Sequence, residues 1–317
     1  MKKNKHITVI SLLCLWMNFG FGQSQKPFDE LISTTNEYIE KYSKLSPFGS
    51  DEFIPLKKSG LPRDVIKQIK EHLEEYDGYL KDSISEFNLL LEFQGLIVEN
   101  ITNIISHKKF EDSSIEKLIN QDLDLSIVVS DDRKLFNFSL DEKTGGTYRS
   151  RISITHYTED EESPTIKSSD GPEIINQHGV FEGDGFNAIY SIDTKEGTKY
   201  VLVGHVRGCS YCFESNIMLV KLNDGMFEED FSYSVNSRSW EEGISYNSKT
   251  KVITVDYITD DLTTDCDCSN YATLDEEENY YLDNDDPEPM VKRCHCTFQF
   301  NDLNFELVKE SWEKVKE

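Results

Sequence analysis

Six of the chain's seven cysteines fall into three close pairs, Cys209-Ser-Tyr-Cys212, Cys266-Asp-Cys268 and Cys294-His-Cys296. Sulfur at such spacing serves two main chemistries. In an oxidising compartment an even number of thiols closes into disulfides, which stabilise a fold by restricting the unfolded chain. Zinc or copper(I) instead takes four or more thiolates or imidazoles, with zinc tetrahedral at ~2.3 Å from each sulfur, and His205 or His295 could complete such a shell. A third chemistry, redox exchange at Cys209 and Cys212, needs its nucleophile at a helix N-terminus, where the dipole lowers the thiol pKa; the residues flanking this pair read as strands.

Strand geometry suggests a pairing without deciding the chemistry. Residues i and i+2 of a strand share a face, so Cys266 and Cys268 point together, as do Cys294 and Cys296, if both segments are strands. If the two segments pair antiparallel across the acidic stretch 270–288, Cys266 faces Cys296 and Cys268 faces Cys294. Cys209 and Cys212 can close on each other across their own turn. The disulfide and metal readings both stay open on these residues alone.

Other catalytic signatures are missing from the sequence. It contains no GxSxG, no HExxH and no Walker loop. His107, His156, His178, His205 and His295 are scattered, and an isolated histidine is more often a satisfied structural residue than a catalyst. Glu241-Glu242 are adjacent, so on a strand they point to opposite faces and do not form a glycosidase pair. Asp283-Asn-Asp-Asp286 is rich in oxygen, yet the glycine and distal glutamate of a calcium loop are absent at their offsets.

The elements that must hold the cysteines follow from periodicity. From Pro27 to about Asn120 the apolar spacing is helical. Phe28, Leu31, Ile32, Tyr38, Ile39, Tyr42 and Leu45 form one face; Pro62 opens a second helix that ends near Asp77-Gly78. Ser83-Ile-Ser-Glu86 has capping-box spacing ahead of a third helix running to Ile105, and Ser113-Ser-Ile-Glu116 repeats it before a short fourth, Ile115 to Ile119. After Gln121 the pattern changes to short β-rich runs at 125–129, 134–138, 148–157, 187–192, 199–206 and 216–222. Asn223-Asp224-Gly225 is the clearest hairpin turn, and 244–246 with 252–257 and 297–300 with 304–308 make two more strand–turn–strand units. No helical run separates these strands, so parallel winding is not expected. The fold class is α+β: a helical region at 23–121, then an antiparallel β-rich domain at 122–317 built as a sandwich, open barrel or propeller-like stack.

The N-terminus carries an address. Lys2-Lys-Asn-Lys-His6 precedes an apolar run from Ile7 to Met17, and Gly20 and Gly22 stand where a signal peptidase reads small residues. Cleavage after Gly22 is expected, which makes residues 1–22 a signal peptide and takes Cys14 with them. Cys14 lacks the small preceding residue of a lipid-modified cysteine, so a free product is expected, periplasmic or extracellular. The formal charge is −26, and cleavage removes lysines and no acid, so the mature chain is more acidic still. That charge repels nucleic acid. Beyond the signal no apolar run reaches the roughly 18–20 residues of a spanning helix.

Ser130-Asp-Asp-Arg-Lys-Leu-Phe-Asn-Phe-Ser-Leu-Asp-Glu-Lys-Thr-Gly-Gly-Thr147 resembles a motif of uncharacterised secreted proteins of Bacteroidota. In those proteins a strand carrying DGKLRIYSWD leads into TGTGGT and a further strand. The resemblance covers about 122–220; it departs at Leu140, where the family has Trp, and in the cysteine pairs. It implies an exported protein with a β-rich C-terminal half and brings no activity, substrate or catalytic residue. The function expected is a non-enzymatic binding or interaction module stapled by disulfides, with a protein or glycan ligand and no cofactor. The alternative is a metal-binding protein, zinc or copper, using all six paired cysteines, and a third possibility is a hydrolase.

Overall fold

Pro27 stands at the N-cap with an extended ψ of 142°, its carbonyl accepting from the Glu30 and Leu31 amides, and the first helix, α1 (Phe28–Ser43), follows directly. The computed structural model describes residues 27–48, 53–71, 79–80, 82–110, 118, 124–143, 149–158, 167–168, 171–172, 181, 184–208, 212–223, 226–237, 242–259, 268 and 290–316. The expected face of α1 is buried from Phe28 through Tyr42, with Leu45 packed against the same core. Strand β1 (Ile54–Pro55) leads into a 3-10 turn and then α2 (Arg63–Glu71). β2 (Tyr79–Leu80) and β3 (Ser83–Ile84) complete a small sheet with β1, ordered β1-β3-β2. These short strands were invisible in a stretch whose periodicity is helical throughout. α3 (Glu86–Ile105) is capped by Ser85, whose side chain accepts from the Asn88 amide. The capping box expected at Ser83 and Glu86 is therefore displaced: Ser83 belongs to a strand, and the Glu86 carboxylate instead accepts from the Ser46 amide at 2.9 Å. The fourth helix expected at 115–119 lies outside the described residues, apart from the buried Leu118.

The strands that follow are antiparallel throughout. β4 (Leu125–Val129), β5 (Leu135–Asp141) and β6 (Arg151–Tyr157) form a meander. A two-strand hairpin, β7 (Lys167–Ser168) with β8 (Gly171–Pro172), precedes β9 (Ala188–Thr194), β10 (Gly197–Arg207), β11 (Phe213–Asn223) and β12 (Met226–Ser237). These last four make one sheet, ordered β12-β11-β10-β9. β13 (Gly243–Asn247), β14 (Val252–Thr259), β15 (Met290–Phe300) and β16 (Phe305–Lys316) make another, ordered as the chain runs. Asn223 pairs with Met226, so β11 and β12 are neighbours as the expected hairpin requires, and the turn residues 224–225 lie outside the described residues. At the β13–β14 turn Asn247 Oδ1 accepts from the amides of Lys249 and Thr250, both at 3.1 Å.

Alternation stacks these elements into layers. Every residue of β5 is buried: Phe136, Phe138 and Leu140 face α1 and α3, while Leu135 faces the next sheet. In β10, Tyr200 and Leu202 point back toward β5, and Val201 and Val203 point forward into the core shared with β13–β16. Helices, a three-stranded sheet and two four-stranded sheets thus lie one upon another, joined by three apolar interfaces. The first of these cores draws residues from both sides of position 122, so the helices and the β4–β6 sheet pack as one unit. At the last interface the sheets approach closely: Gly243 has φ +115°, and a Cβ there would stand 2.3 Å from Ser215 Oγ of β11.

Candidate functional site

β15 carries Cys294 and Cys296 on one face, and both are fully buried in the core between the last two sheets. Two residues apart on a strand, they share a face as expected. Cys296 is disulfide-bonded to Cys268 across a Cα separation of 5.8 Å. The pairing expected from the sequence, Cys266 with Cys296 and Cys268 with Cys294, is therefore corrected. The expectation made 266–268 the ladder neighbour of 294–296. That place belongs to β14, where Val255 faces Cys296 and Tyr257 faces Cys294, and to β16, where Glu310 and Trp312 do. Cys268 sits instead at a turn, its sulfur tucked beneath the sheet. Cys212 and Cys294 are each engaged in a disulfide as well. Cys209 and Cys266 lie outside the described residues.

His295 stands between the two cysteines in sequence and on the opposite face in space. Its imidazole looks outward, with Nδ1 3.5 Å from Asp256 Oδ2 and Nε2 3.9 Å from Glu313 Oε1. It is thus separated from Cys294 and Cys296 by the sheet itself. His205, the other imidazole considered as a ligand, packs on β10 with Nδ1 2.9 Å from Ser215 Oγ, and burial holds its pKa down. A sulfur already bonded to another sulfur is not a thiolate donor. Among the described residues no three His, Cys, Asp or Glu side chains gather as a metal shell.

The outer face of the β13–β16 sheet holds a constellation that sequence reading missed. Arg293 donates through Nε and Nη2 to the two oxygens of Asp256, each at 2.8 Å, a bidentate fork that raises the guanidinium pKa further. Glu242 adds its field to Arg293. Ser245 and Thr254 share a hydrogen bond at 2.6 Å on the same sheet. The legible signal was register: once β14 and β15 are paired, Asp256 falls opposite His295, one step along the face from Arg293.

Across three strands Asp256, His295 and Ser311 form a row in the order of a hydrolase triad. The geometry does not complete that chemistry. Both Asp256 oxygens are engaged by Arg293, and the ring nitrogen remote from Asp256 is directed to Glu313. What the face offers is a flat grid of opposite charges and hydroxyls.

The buried charges elsewhere are matched to one another. β12 bulges where Leu219 faces Phe231 and Val220 faces Glu229, leaving Asp230 outside the ladder. Its carboxylate turns to Lys199 at 2.7 Å and Lys221 at 3.2 Å. Burial alone would raise the Asp230 pKa, but hydrogen bonds from the two lysines outweigh it and hold the carboxyl low. Lys199 also donates to the Leu303 carbonyl at 2.7 Å, and Asn304 Nδ2 donates to the Asp230 carbonyl at 2.9 Å, so the β15–β16 turn is pinned to the neighbouring sheet. Near the helices, Lys143 meets Asp124 at 3.1 Å above the Tyr42 ring, and Tyr42 donates to the Asp141 carbonyl at 2.6 Å. Two further histidines are packing residues: His107 lies against Phe28, and His156 lies against Phe110 and Phe136. His178 and Glu241, and the acidic run 283–286, lie outside the described residues. No family model, no curated protein and no solved structure matches the chain.

Proposed function

We propose that this is an exported, non-enzymatic binding module that meets a protein or glycan partner with the outer face of its β13–β16 sheet. The observation that carries the reading is the Asp256–Arg293 fork, set with His295 and Glu313 on an accessible sheet face. A preorganised fork can exchange hydrogen bonds with a partner's polar groups at little cost in side-chain ordering. Export is supported by the buried Cys268–Cys296 disulfide, which belongs to an oxidising compartment, and by the basic-then-apolar N-terminal segment. The metal-binding alternative would need these sulfurs as thiolates.

A glycan panel and a peptide panel presented to the purified, oxidised chain test this directly. Saturable binding without turnover is expected, weakened at least tenfold by Arg293→Ala with unchanged thermal melting. Turnover of a panel member that a point substitution abolishes would contradict the reading, as would binding indifferent to Arg293.

A further inference from the structure

β16 forms hydrogen bonds to a neighbouring strand along one of its two edges among the described residues, leaving the other edge of a twelve-residue strand open. Residues 306–310 and 312–314 are exposed on both faces of the sheet. Leu307, Val308 and Trp312 are 38%, 59% and 41% exposed, a concentration of apolar side chains on an edge that carries no proline. A long open edge is a template for another strand, and the lysines and the bulge of β16 defend it against indiscriminate pairing. Its charges also select one particular partner.

We propose that β16 pairs antiparallel with β16 of a second copy of this chain, about a twofold axis through Ser311, so that the two four-stranded sheets become continuous. Side chains must stay on their own faces, so the permitted registers differ by two residues. Lys309, Ser311 and Glu313 all lie on the outer face, opposite Thr297, His295 and Arg293 of β15. With Ser311 on the axis, Lys309 of each copy stands opposite Glu313 of the other. On the inner face Trp312 stands opposite Glu310 of the second copy and reaches diagonally toward that copy's Trp312 and Val308, within the span of an aromatic side chain. Sliding the register one way sets Glu310 against Glu310; sliding it the other way shortens the ladder. The bulge at Thr297/Phe298 falls opposite 307–309, outside the central run 309–313.

Sedimentation equilibrium of the purified, oxidised chain from about 1 to about 300 μM tests it, since edge pairing gives an interface at the small, weak end of the range. A monomer–dimer equilibrium is expected. Lys309→Glu alone and Glu313→Lys alone each bring like charges together, and each should weaken the dimer at least tenfold with thermal melting unchanged. Mixed one to one, the two variants present opposite charges at every 309–313 contact, and the mixture should regain dimer of wild-type strength. A chain that is monomeric throughout, single variants that dimerise as well as the wild type, or a mixture that fails to regain dimer would each overturn the proposal.

Discussion

His156 shows how a residue that could have been chemical is structural. It sits in an aromatic nest of Phe110 and Phe136, and burial pushes its pKa from the usual 6.5 down to about 4. The folded state therefore holds the neutral ring, while the unfolded chain takes up a proton as pH falls below 6.5. Stability from this site is full above that value and is lost progressively toward pH 4, by about 3 kcal/mol. His205 is shifted in the same direction by burial and adds to the trend. His156→Phe should remove about 3 kcal/mol of the stability lost between pH 7 and pH 4, measured by urea unfolding at each pH. An unchanged acid slope in that variant would mean the ring is hydrated in the folded state.

At the scale of elements, the joint between the last two sheets rests on the β12 bulge. Lys199 directly precedes the apolar run Tyr200-Val-Leu-Val203 of β10, and its buried ammonium meets the Asp230 carboxylate that has left the ladder, together with the Leu303 carbonyl and Glu196. Removing one partner of such a pair costs about 3–5 kcal/mol, because the other charge stays behind. Lys221 still contacts Asp230, so Lys199→Met should fall at the lower end, about 3 kcal/mol by chemical denaturation. Adding Asp230→Asn should recover part of that loss, and a strictly additive double variant would show that the two side chains are not coupled.

The same elements mark how far the sequence could be read. β13, β14 and the β11–β12 turn were legible because alternation and Asn-Gly-type turn residues coincide there. β12 was missed because Met226–Ser237 mixes acids with aromatics and its bulge breaks the period. The register of β15 was the costliest omission: the spacing Cys294-His-Cys296 correctly put both sulfurs on one face, but nothing local says which strand lies alongside. Long-range pairing assigned that place to β14, and with it changed the partner of Cys296 and revealed Asp256 beside Arg293.

On the scale of the whole molecule, the layers explain why the three sulfurs described in the last core are buried so completely. Helices cover one face of β4–β6, and each succeeding sheet covers the next, so that among the described residues the outer face of β13–β16 is the sheet face left to solvent. The side chains with a chemical repertoire are divided accordingly: the sulfurs inside are engaged in disulfides, and the groups on the last face present charge and hydroxyls.

Non-reducing peptide mapping of the protein recovered from its native compartment, with free thiols alkylated first, tests that account most directly. A peptide linking Cys268 to Cys296, with no alkylation at Cys212 or Cys294, is the predicted result. Alkylatable thiols at these positions, appearing only after a chelator is added, would contradict it and place a metal where we place disulfides.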